Sequence, residues 1–222
     1  MQQPFRYGFL SWCVKRGLLR RNPAALVRQP TEPEEPGRSV DQQTFGRLLA
    51  HTRDGMAPNR DRAVLWLLWD TGMRIGEVAQ LTVRDVSFER CEIRIRAVTT
   101  KTDTERWVAF SENTRLALYD YLAFERGNDP GPLFLSLRTG EGMTGPTMSR
   151  LVREIARLAG VKASPHDFRR AFVERMQAQG MPDTLLQQLT GHRSTQMIVR
   201  YGRRKASENA LRLQRQYMGG VG

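Results

Sequence analysis

Two histidines, an arginine and a tyrosine lie within 37 residues of the chain, between Pro165 and Tyr201. His166 precedes Arg169 by three residues, and Tyr201 follows His192 by nine. Pro165 is a helix-starting residue, so the i, i+3 spacing projects His166 and Arg169 from one helical face. A guanidinium offers planar, paired donors for phosphate oxygens, and an imidazole can donate a hydrogen bond or move a proton. These side chains form either a site for chemistry on a phosphate or an ordinary basic surface.

Two more basic residues belong to such a site if the fold brings them to it. Arg74 follows a Thr-Gly break at which a short helix begins. A positive side chain in a first helical turn opposes the helix dipole, so Arg74 is either solvated or held there to meet an anion. Lys101 lies at or near the tip of a predicted β-hairpin, where a lysine is usually solvated. Taken one at a time, each candidate also fits a surface or core position.

The charge balance indicates a polyanionic partner. The 222 residues contain 35 Lys+Arg and 23 Asp+Glu, which gives a net charge of +12 and a pI of about 10.7. A basic excess of this size is typical of proteins that bind nucleic acid. The stretch QQLTGHRSTQMIVRYGRR has an alternative interpretation of its own, since a helix, a glycine turn, a second helix and a basic tail are typical of a helix-turn-helix.

Other features of the composition exclude several classes of protein. Cys13 and Cys91 are far apart and match neither a metal-ligand spacing nor a disulfide framework, which favours a reducing compartment. The first residues lack the order of a signal peptide. The longest apolar run, Ala63 to Trp69, is too short to span a bilayer. We therefore expect a cytoplasmic, nucleoid-associated protein with no membrane partner.

The periodicity predicts a mostly α-helical chain with one small antiparallel β-sheet. Phe5, Phe9, Trp12 and Cys13 share one face of a first helix that ends near Gly17. A proline-rich acidic stretch follows as a linker. Ser39 and Gln42 form a capping-box pattern for the next helix. Further helices are expected at the following ranges: 39–51, 59–70, from Arg74, 114–126, 147–160 and from Pro165 onward. CEIRIRAV and ERWVAF alternate as strands around TTKTDT, with Lys101 at the turn.

The order and spacing of these motifs resemble one family. TGMRIGEVAQLTVRDV, the lysine of TTKTDTERWVAF, PHDFRR, LTGHRS and the tyrosine nine residues later are similar to the tyrosine recombinase (phage integrase) family. The resemblance covers about residues 39–217, essentially that family's whole catalytic domain. It implies a catalytic domain with a C-terminal helical tail over residues 39–222. Residues 1–30 resemble only the last helix and exit of its core-binding domain, and residues 31–38 are then the linker. The fold implied is the catalytic-domain fold of that family, an α+β arrangement.

The resemblance also implies a role for each candidate. Tyr201 is the expected nucleophile that becomes joined to a 3′ phosphate of DNA. Arg74 and Arg169 are expected to hold the non-bridging oxygens with help from His192. Lys101 would protonate the departing 5′ oxygen, and His166 would assist proton transfer from the tyrosine. Arg170 stands where the family frequently has a second histidine, and it is expected to contact DNA. The other expected DNA contacts are Arg193, Arg203 and Arg204.

The same resemblance implies partners and cofactors. The covalent phosphotyrosine conserves the energy of the broken bond, so neither ATP nor a metal cofactor is expected. The sequence agrees, because it has no phosphate-binding glycine loop and no carboxylate cluster suited to magnesium. Double-stranded DNA is the expected partner, and the helical tail after Tyr201 either packs on its own domain or docks on a neighbour in a homotetramer on paired DNA sites. Two alternatives stay open: relaxation of DNA in the manner of a type IB topoisomerase, and a non-catalytic DNA-binding protein.

Overall fold

The computed structural model describes residues 4–23, 38–97 and 105–191. The chain divides into two units, residues 1–37 and 38–222. The first unit contains helix α1 (Pro4–Lys15). The second contains, in the part of the chain described, helices α2 (Gln42–Thr52), α3 (Pro58–Thr71), α4 (Ile75–Ala79), α5 (Glu112–Tyr121), α6 (Gly145–Leu158), α7 (Pro165–Ala178) and α8 (Asp183–Thr190), and strands β1 (Val86–Ser87), β2 (Glu92–Ile95) and β3 (Arg106–Ala109). The predicted fold class, mostly helical with a small antiparallel sheet, is confirmed.

Helix α1 carries the predicted aromatic face. The rings of Phe9 and Trp12 stack with their centroids 6.0 Å apart, and both remain exposed, whereas Cys13 is buried. The helix ends as predicted near Gly17, whose φ of +72° lies in the left-handed region that favours glycine. The side chain of Phe5 is outside the described residues.

The start of α2 corrects one prediction. The N-cap is Asp41, whose Oδ1 accepts a hydrogen bond of 2.7 Å from the backbone N–H of Thr44. The expected capping box of Ser39 and Gln42 is therefore wrong, since Ser39 lies outside the helix and is exposed. A carboxylate two residues later is an equally good acceptor for a free N–H in the first turn, and it sets the start of the helix.

Helix α3 is the centre of the core. It is buried on nearly every side and packs against α2, α5 and α7. The ring of Trp69 stacks on that of Phe45 from α2 at 4.2 Å. Its free N-terminal N–H groups at Asn59 and Arg60 donate to the carboxylate of Glu125 at 2.8 and 3.0 Å. Anchored at both ends, α3 sets the position of the loop that leads from it to α4.

The sheet has the order β1-β2-β3, with antiparallel pairing throughout. The predicted hairpin is present as β2 and β3, which pair from Glu92 with Ala109 to Ile95 with Arg106. Alternate side chains such as Ile93 and Val108 face the core. Strand β1 was not predicted. Lys101 belongs to residues 98–104, outside the described residues.

The last helices follow the predicted breaks closely. A π-helical turn, Leu122–Arg126, extends α5. Helix α7 begins at Pro165, and the carboxylate of Asp167 accepts hydrogen bonds from the backbone and hydroxyl of Ser164 at 2.9 and 2.8 Å. The break at residues 180–182 separates α7 from α8. None of the helices in the three described ranges has the length and apolar character needed to cross a membrane.

Candidate active site

Arg169 lies in the first turns of α7 and is directed into the protein. Its side chain is buried, at 5% exposure. Nη1 donates to the carbonyl of Gly72 at 2.9 Å, and Nη2 donates to the carbonyl of Thr190 at 2.6 Å. One guanidinium therefore joins the end of α3 to the end of α8. A buried cation held by fixed carbonyls keeps its orientation, which is a requirement for a group that must meet a specific anion.

Arg74 is the N-cap of α4, directly after the loop that leaves α3. Its backbone N–H and its Nη1 donate to the two carboxylate oxygens of Glu77 at 2.9 and 3.1 Å. Its Nη2 donates to the carbonyl of Gly191. The side chain is still 40% exposed. Arg74 is therefore neither simply solvated nor fully enclosed, because a carboxylate and a carbonyl orient it while one side remains open to solvent.

Glu77 is a buried carboxylate between two guanidiniums. Besides its contacts with Arg74, its Oε2 accepts a hydrogen bond of 2.7 Å from Nη2 of Arg106. Burial by itself raises the pKa of Glu77, but the hydrogen bond and charge of Arg106, with those of Arg74, outweigh burial and hold the pKa below its usual range. The carboxylate is therefore charged at neutral pH and forms ion pairs with both arginines.

Arg106, the first residue of β3, reaches the same place from the sheet. Its Nε donates to the carbonyl of Leu189 at 2.8 Å, and its side chain is only 11% exposed. Its guanidinium thus contacts α4 through Glu77 and α8 through a backbone carbonyl. The candidate site therefore contains three guanidiniums and one carboxylate in the residues described.

The three arginines meet at the C-terminal end of α8. Consecutive carbonyls there, those of Leu189, Thr190 and Gly191, accept from Arg106, Arg169 and Arg74 respectively. Carbonyls at a helix C-terminus lack partners within the helix and carry its partial negative charge, so cations are favourable there. Gly191 caps the helix at φ +65°, and a Cβ at this position would lie 3.0 Å from Nη1 of Arg106 and 3.3 Å from Nη1 of Arg74. A side chain here would therefore need a left-handed backbone conformation and would displace both guanidiniums by a few tenths of an ångström.

His166 and Arg170 lie on the same first turns of α7 as Arg169. The imidazole of His166 is exposed in part. Partial burial is the largest cause that lowers its pKa, and the positive charge of Arg170 is the next; the negative charge of Asp167 opposes them, and the positive charge of Arg169 lowers the pKa slightly further. The ring is therefore neutral at pH 7 and able to accept a proton. Arg170 is half-buried.

The described residues contain three of the six predicted catalytic residues: Arg74, His166 and Arg169. Two of them, Arg74 and Arg169, are brought together at α8 although 95 residues (169 − 74) separate them in sequence. The remaining candidates lie outside the described residues: Lys101, His192, Tyr201, Arg193, Arg203 and Arg204. The convergence of all six on one pocket stays a prediction. His192 is the residue that directly follows Gly191 in the sequence.

Sequence reasoning missed Glu77 and Arg106. A local sequence pattern indicates the position of each of these two residues. Glu77 is three residues after Arg74, at the position where a glutamate bonds back to the N-cap backbone. Arg106 alternates with Val108, and strand periodicity therefore places it on the inward face of the hairpin.

The described ranges hold no group of three or more His, Cys, Asp or Glu side chains that could bind a metal ion. What the site offers is fixed positive charge. Arg74 is open to solvent on one side and can donate hydrogen bonds to the oxygens of a phosphate. The buried Arg169 adds positive charge from the protein interior. A neutral imidazole nearby can take a proton. This chemistry suits stabilisation of negative charge that develops on a phosphate during a transfer reaction.

Comparisons with known proteins show the family of the chain. Residues 38–208 match the phage integrase family. The chain is 30% identical over 198 residues to the tyrosine recombinase XerC of Corynebacterium glutamicum, an alignment covering 87% of this chain and 63% of the relative. It is 28% identical over 183 residues to the tyrosine recombinase XerA of Pyrococcus furiosus, covering 81% and 62%. The chain thus spans somewhat over three fifths of the length of the curated relatives it matches.

Solved structures share the fold. The crystal structure of XerA recombinase superposes with a TM-score of 0.67 at 25% identity, over 94% of this chain and 71% of that one. The Tn1549 transposon integrase in complex with circular intermediate DNA superposes with a TM-score of 0.70 at 20% identity, over 88% and 73%. The second likeness is one of fold.

Proposed function

The chain belongs to the phage integrase family, and from this premise we propose that it is a site-specific recombinase that cleaves and rejoins double-stranded DNA through a 3′-phosphotyrosyl intermediate at Tyr201. One observation carries the proposal furthest. Arg74 and Arg169 come from distant parts of the sequence, yet they bind consecutive carbonyls at the end of α8, directly before His192. An arrangement that concentrates guanidiniums at one point serves an anionic group, and a DNA phosphate is the anion that the family acts upon.

The proposed reaction exchanges one phosphate ester for another. The phenol oxygen of Tyr201 attacks the phosphorus, and the bond from phosphorus to the 5′ oxygen of the next nucleotide breaks. The phenol has an ordinary pKa of about 10, so its proton must be accepted as the attack proceeds. His166, neutral at pH 7 because of its lowered pKa, takes that proton. Lys101 gives a proton to the departing 5′ oxygen, and attack by a 5′ hydroxyl on the phosphotyrosine reverses the sequence and rejoins DNA.

The arginines supply the electrostatic part of the catalysis. As the phosphorus gains a fifth oxygen neighbour, negative charge grows on the two non-bridging oxygens. Arg74 and Arg169, assisted by His192, stabilise that charge, and the loss of one such donor typically reduces the rate about 10²–10³-fold. No step of this scheme requires ATP or a metal ion.

Helix α6 supports DNA as the partner. Its exposed arginines, Arg150, Arg153 and Arg157, share one face by their i, i+3 and i, i+7 spacing. The start of the helix packs against α4, where the ideal Cβ of Gly145 lies 3.5 Å from Cα of Gly76. This face also contains Glu154, which pairs with Arg157 at 2.6 Å, and the remaining excess of positive charge offers contacts to the DNA backbone. Solved structures that share the fold include a Tn1549 transposon integrase in complex with DNA and a lambda integrase dimer bound to a core site.

We extend the proposal to organisation. Residues 1–30 correspond to the end of a core-binding domain, residues 31–38 to a linker and residues 39–222 to the catalytic domain. Arg170, Arg193, Arg203 and Arg204 contact DNA near the cleaved phosphate. The active form is a homotetramer on two paired DNA sites, and the protein works at the nucleoid.

A suicide substrate tests the proposed cleavage. DNA nicked close to the cleaved phosphate loses its short 5′-hydroxyl fragment, so the covalent intermediate accumulates as a denaturation-resistant adduct. We expect the wild type to form this adduct in EDTA and Tyr201→Phe to form none. Tyr119→Phe is the matched control, since Tyr119 is an exposed tyrosine on α5. A wild type that binds the DNA but forms no adduct would refute covalent catalysis and favour a DNA-binding protein. An equal adduct yield from Tyr201→Phe would refute Tyr201 as the nucleophile. Adduct formation with relaxation of supercoils but no strand exchange between paired sites would favour the topoisomerase alternative.

A further inference from the structure

Arg106 differs from the other arginines of the hairpin. Arg94 on the neighbouring strand is 46% exposed and forms a surface pair with Glu105. Arg106 is 11% exposed, and its partners lie 29 and 83 residues away in sequence. A guanidinium taken out of water must recover its hydrogen bonds within the protein, and Arg106 does so by joining three separate elements of the fold.

The geometry of the group explains why an arginine is needed. Nε donates to the carbonyl of Leu189 at 2.8 Å, and Nη2 donates to Oε2 of Glu77 at 2.7 Å. These donors point in fixed, different directions within one rigid plane. A lysine has a single ammonium and cannot hold both acceptors in this geometry. Arg106 therefore fixes the distance between α4 and the end of α8.

The charges around Glu77 give Arg106 a second effect. The buried carboxylate has two arginine partners, Arg74 and Arg106. With Arg106 in place, Arg74 needs only part of its donor set for Glu77 and keeps an exposed side for an incoming anion. Without Arg106, the buried negative charge of Glu77 would rest on Arg74 alone, and the attraction would draw that guanidinium inward.

Arg106 also anchors the hairpin. It pairs with Ile95 in the last described rung before residues 98–104, and it follows Lys101 by five residues (106 − 101) in the sequence. Its hydrogen bonds tie this end of β3 to α4 and α8. The base of the segment that contains Lys101 is thereby held against the arginine cluster.

We propose that Arg106 is a positioning residue for DNA cleavage: through Glu77 and the carbonyl of Leu189, it holds Arg74, the end of α8 and the base of the Lys101 hairpin in one arrangement. This inference rests on the proposed function, because its role is to place the groups that act on the phosphate. Arg106 itself does not touch the reacting atoms. Its removal should therefore slow cleavage far more than it weakens DNA binding.

The test compares Arg106→Gln, Arg106→Lys and the control Arg94→Gln. Single-turnover adduct formation on the nicked substrate gives the cleavage rate, and fluorescence anisotropy with intact DNA gives the Kd. We expect Arg106→Gln to slow cleavage about 10²-fold, the usual effect of misplacing reacting groups by about 1 Å, while the Kd changes less than threefold. Arg106→Lys keeps the charge near Glu77 and should recover about tenfold of that loss. Arg94→Gln should match the wild type.

A double variant separates positioning from general loss of structure. Glu77→Gln removes the buried charge that Arg106 and Arg74 share, so Arg106→Gln combined with Glu77→Gln should lose less activity than the product of the two single losses. Independent losses that multiply would contradict the shared arrangement. If Arg106→Gln proves unfolded by circular dichroism, Arg106→Lys provides the same comparison of cleavage rate with Kd.

The outcomes distinguish this inference from the proposed function. A wild-type protein that forms no adduct overturns the proposed function itself. If the wild type forms the adduct and both Arg106→Gln and Arg106→Lys form it at the wild-type rate, only the role of Arg106 is overturned. Losses of cleavage and DNA binding in equal proportion would also overturn it, because a positioning residue acts on the rate.

Discussion

Replacement of Gly191 by alanine tests whether the arginine cluster depends on the shape of the α8 terminus. The residue has φ +65°, and a Cβ there would lie 3.0 Å from Nη1 and 3.1 Å from Cζ of Arg106 and 3.3 Å from Nη1 of Arg74. Ordinary contacts between carbon atoms are about 3.5–4.0 Å. Gly191→Ala therefore combines a backbone penalty with a displacement of two guanidiniums by several tenths of an ångström.

Gly140→Ala isolates the backbone penalty. Gly140 has φ +71°, and an added Cβ meets no atom within 4 Å. A left-handed conformation costs an alanine about 1–2 kcal/mol. For a unit of this size, each kcal/mol lowers Tm by about 2–4 °C. The backbone penalty should therefore lower the Tm of both variants by about 2–8 °C. If Gly191→Ala loses more than Gly140→Ala, the difference is assigned to the contacts with the arginines.

The functional results should separate the two variants. We expect Gly191→Ala to slow single-turnover adduct formation about 10–10²-fold, the range for a misplaced reacting group, and Gly140→Ala to cleave at the wild-type rate. The assay is the same nicked substrate, at a temperature where both variants are folded by circular dichroism. Equal cleavage by Gly191→Ala and Gly140→Ala would refute the view that this glycine sets the position of the arginines.

Three further results are expected. Gly72→Ala should reduce the free energy of unfolding by about 2–5 kcal/mol in denaturant melts. A Cβ there would lie 2.5 Å from the ring of Phe172, and the left-handed backbone adds its own cost. A loss no larger than that of Gly140→Ala would contradict this packing. The pKa of His166, followed by NMR, should lie below the ordinary value of about 6.5 and should rise in Arg170→Ala. Because the pKa in the folded protein is lowered, protonation of His166 should reduce the free energy of unfolding only as the pH falls below that ordinary value. An unchanged pKa would exclude the charge effect. Arg153→Ala should weaken binding to all DNA sequences alike and reduce the salt slope by about one phosphate contact, and an unchanged slope would remove α6 from the DNA surface.

The sequence allowed the helices and the main hairpin to be predicted because their signals are local. Apolar periodicity, Pro165 at a helix start and the break at residues 180–182 each act within a few positions of the chain. Strand β1 has only two residues, too few to produce an alternating pattern. The start of α2 was misplaced because Ser39 and Asp41 are both good caps, and only the folded backbone decides which of them faces the free N–H groups.

The candidate site, too, could be predicted from the sequence only where its signals are local. Arg74, His166 and Arg169 could be chosen from their motifs. The contacts that orient them depend on pairs far apart in the chain, such as Arg169 with Gly72 and Arg106 with Leu189. Spacing in the sequence does not report such pairs. Arg106 in particular occupied a strand position that looked like ordinary alternation, and its role emerges only when α8 is packed against the sheet.

Identification of the residue joined to DNA tests the central proposal most directly. The covalent adduct from the nicked substrate is digested with nuclease and trypsin, and the modified peptide is found by mass spectrometry. Trypsin cuts after Arg200 and Arg203, which separates Tyr201 from Tyr217. We predict that the peptide of residues 201–203 carries a nucleotide joined to it through the 3′ phosphate. Attachment at any other residue, or an adduct whose yield is unchanged in Tyr201→Phe, would contradict the account.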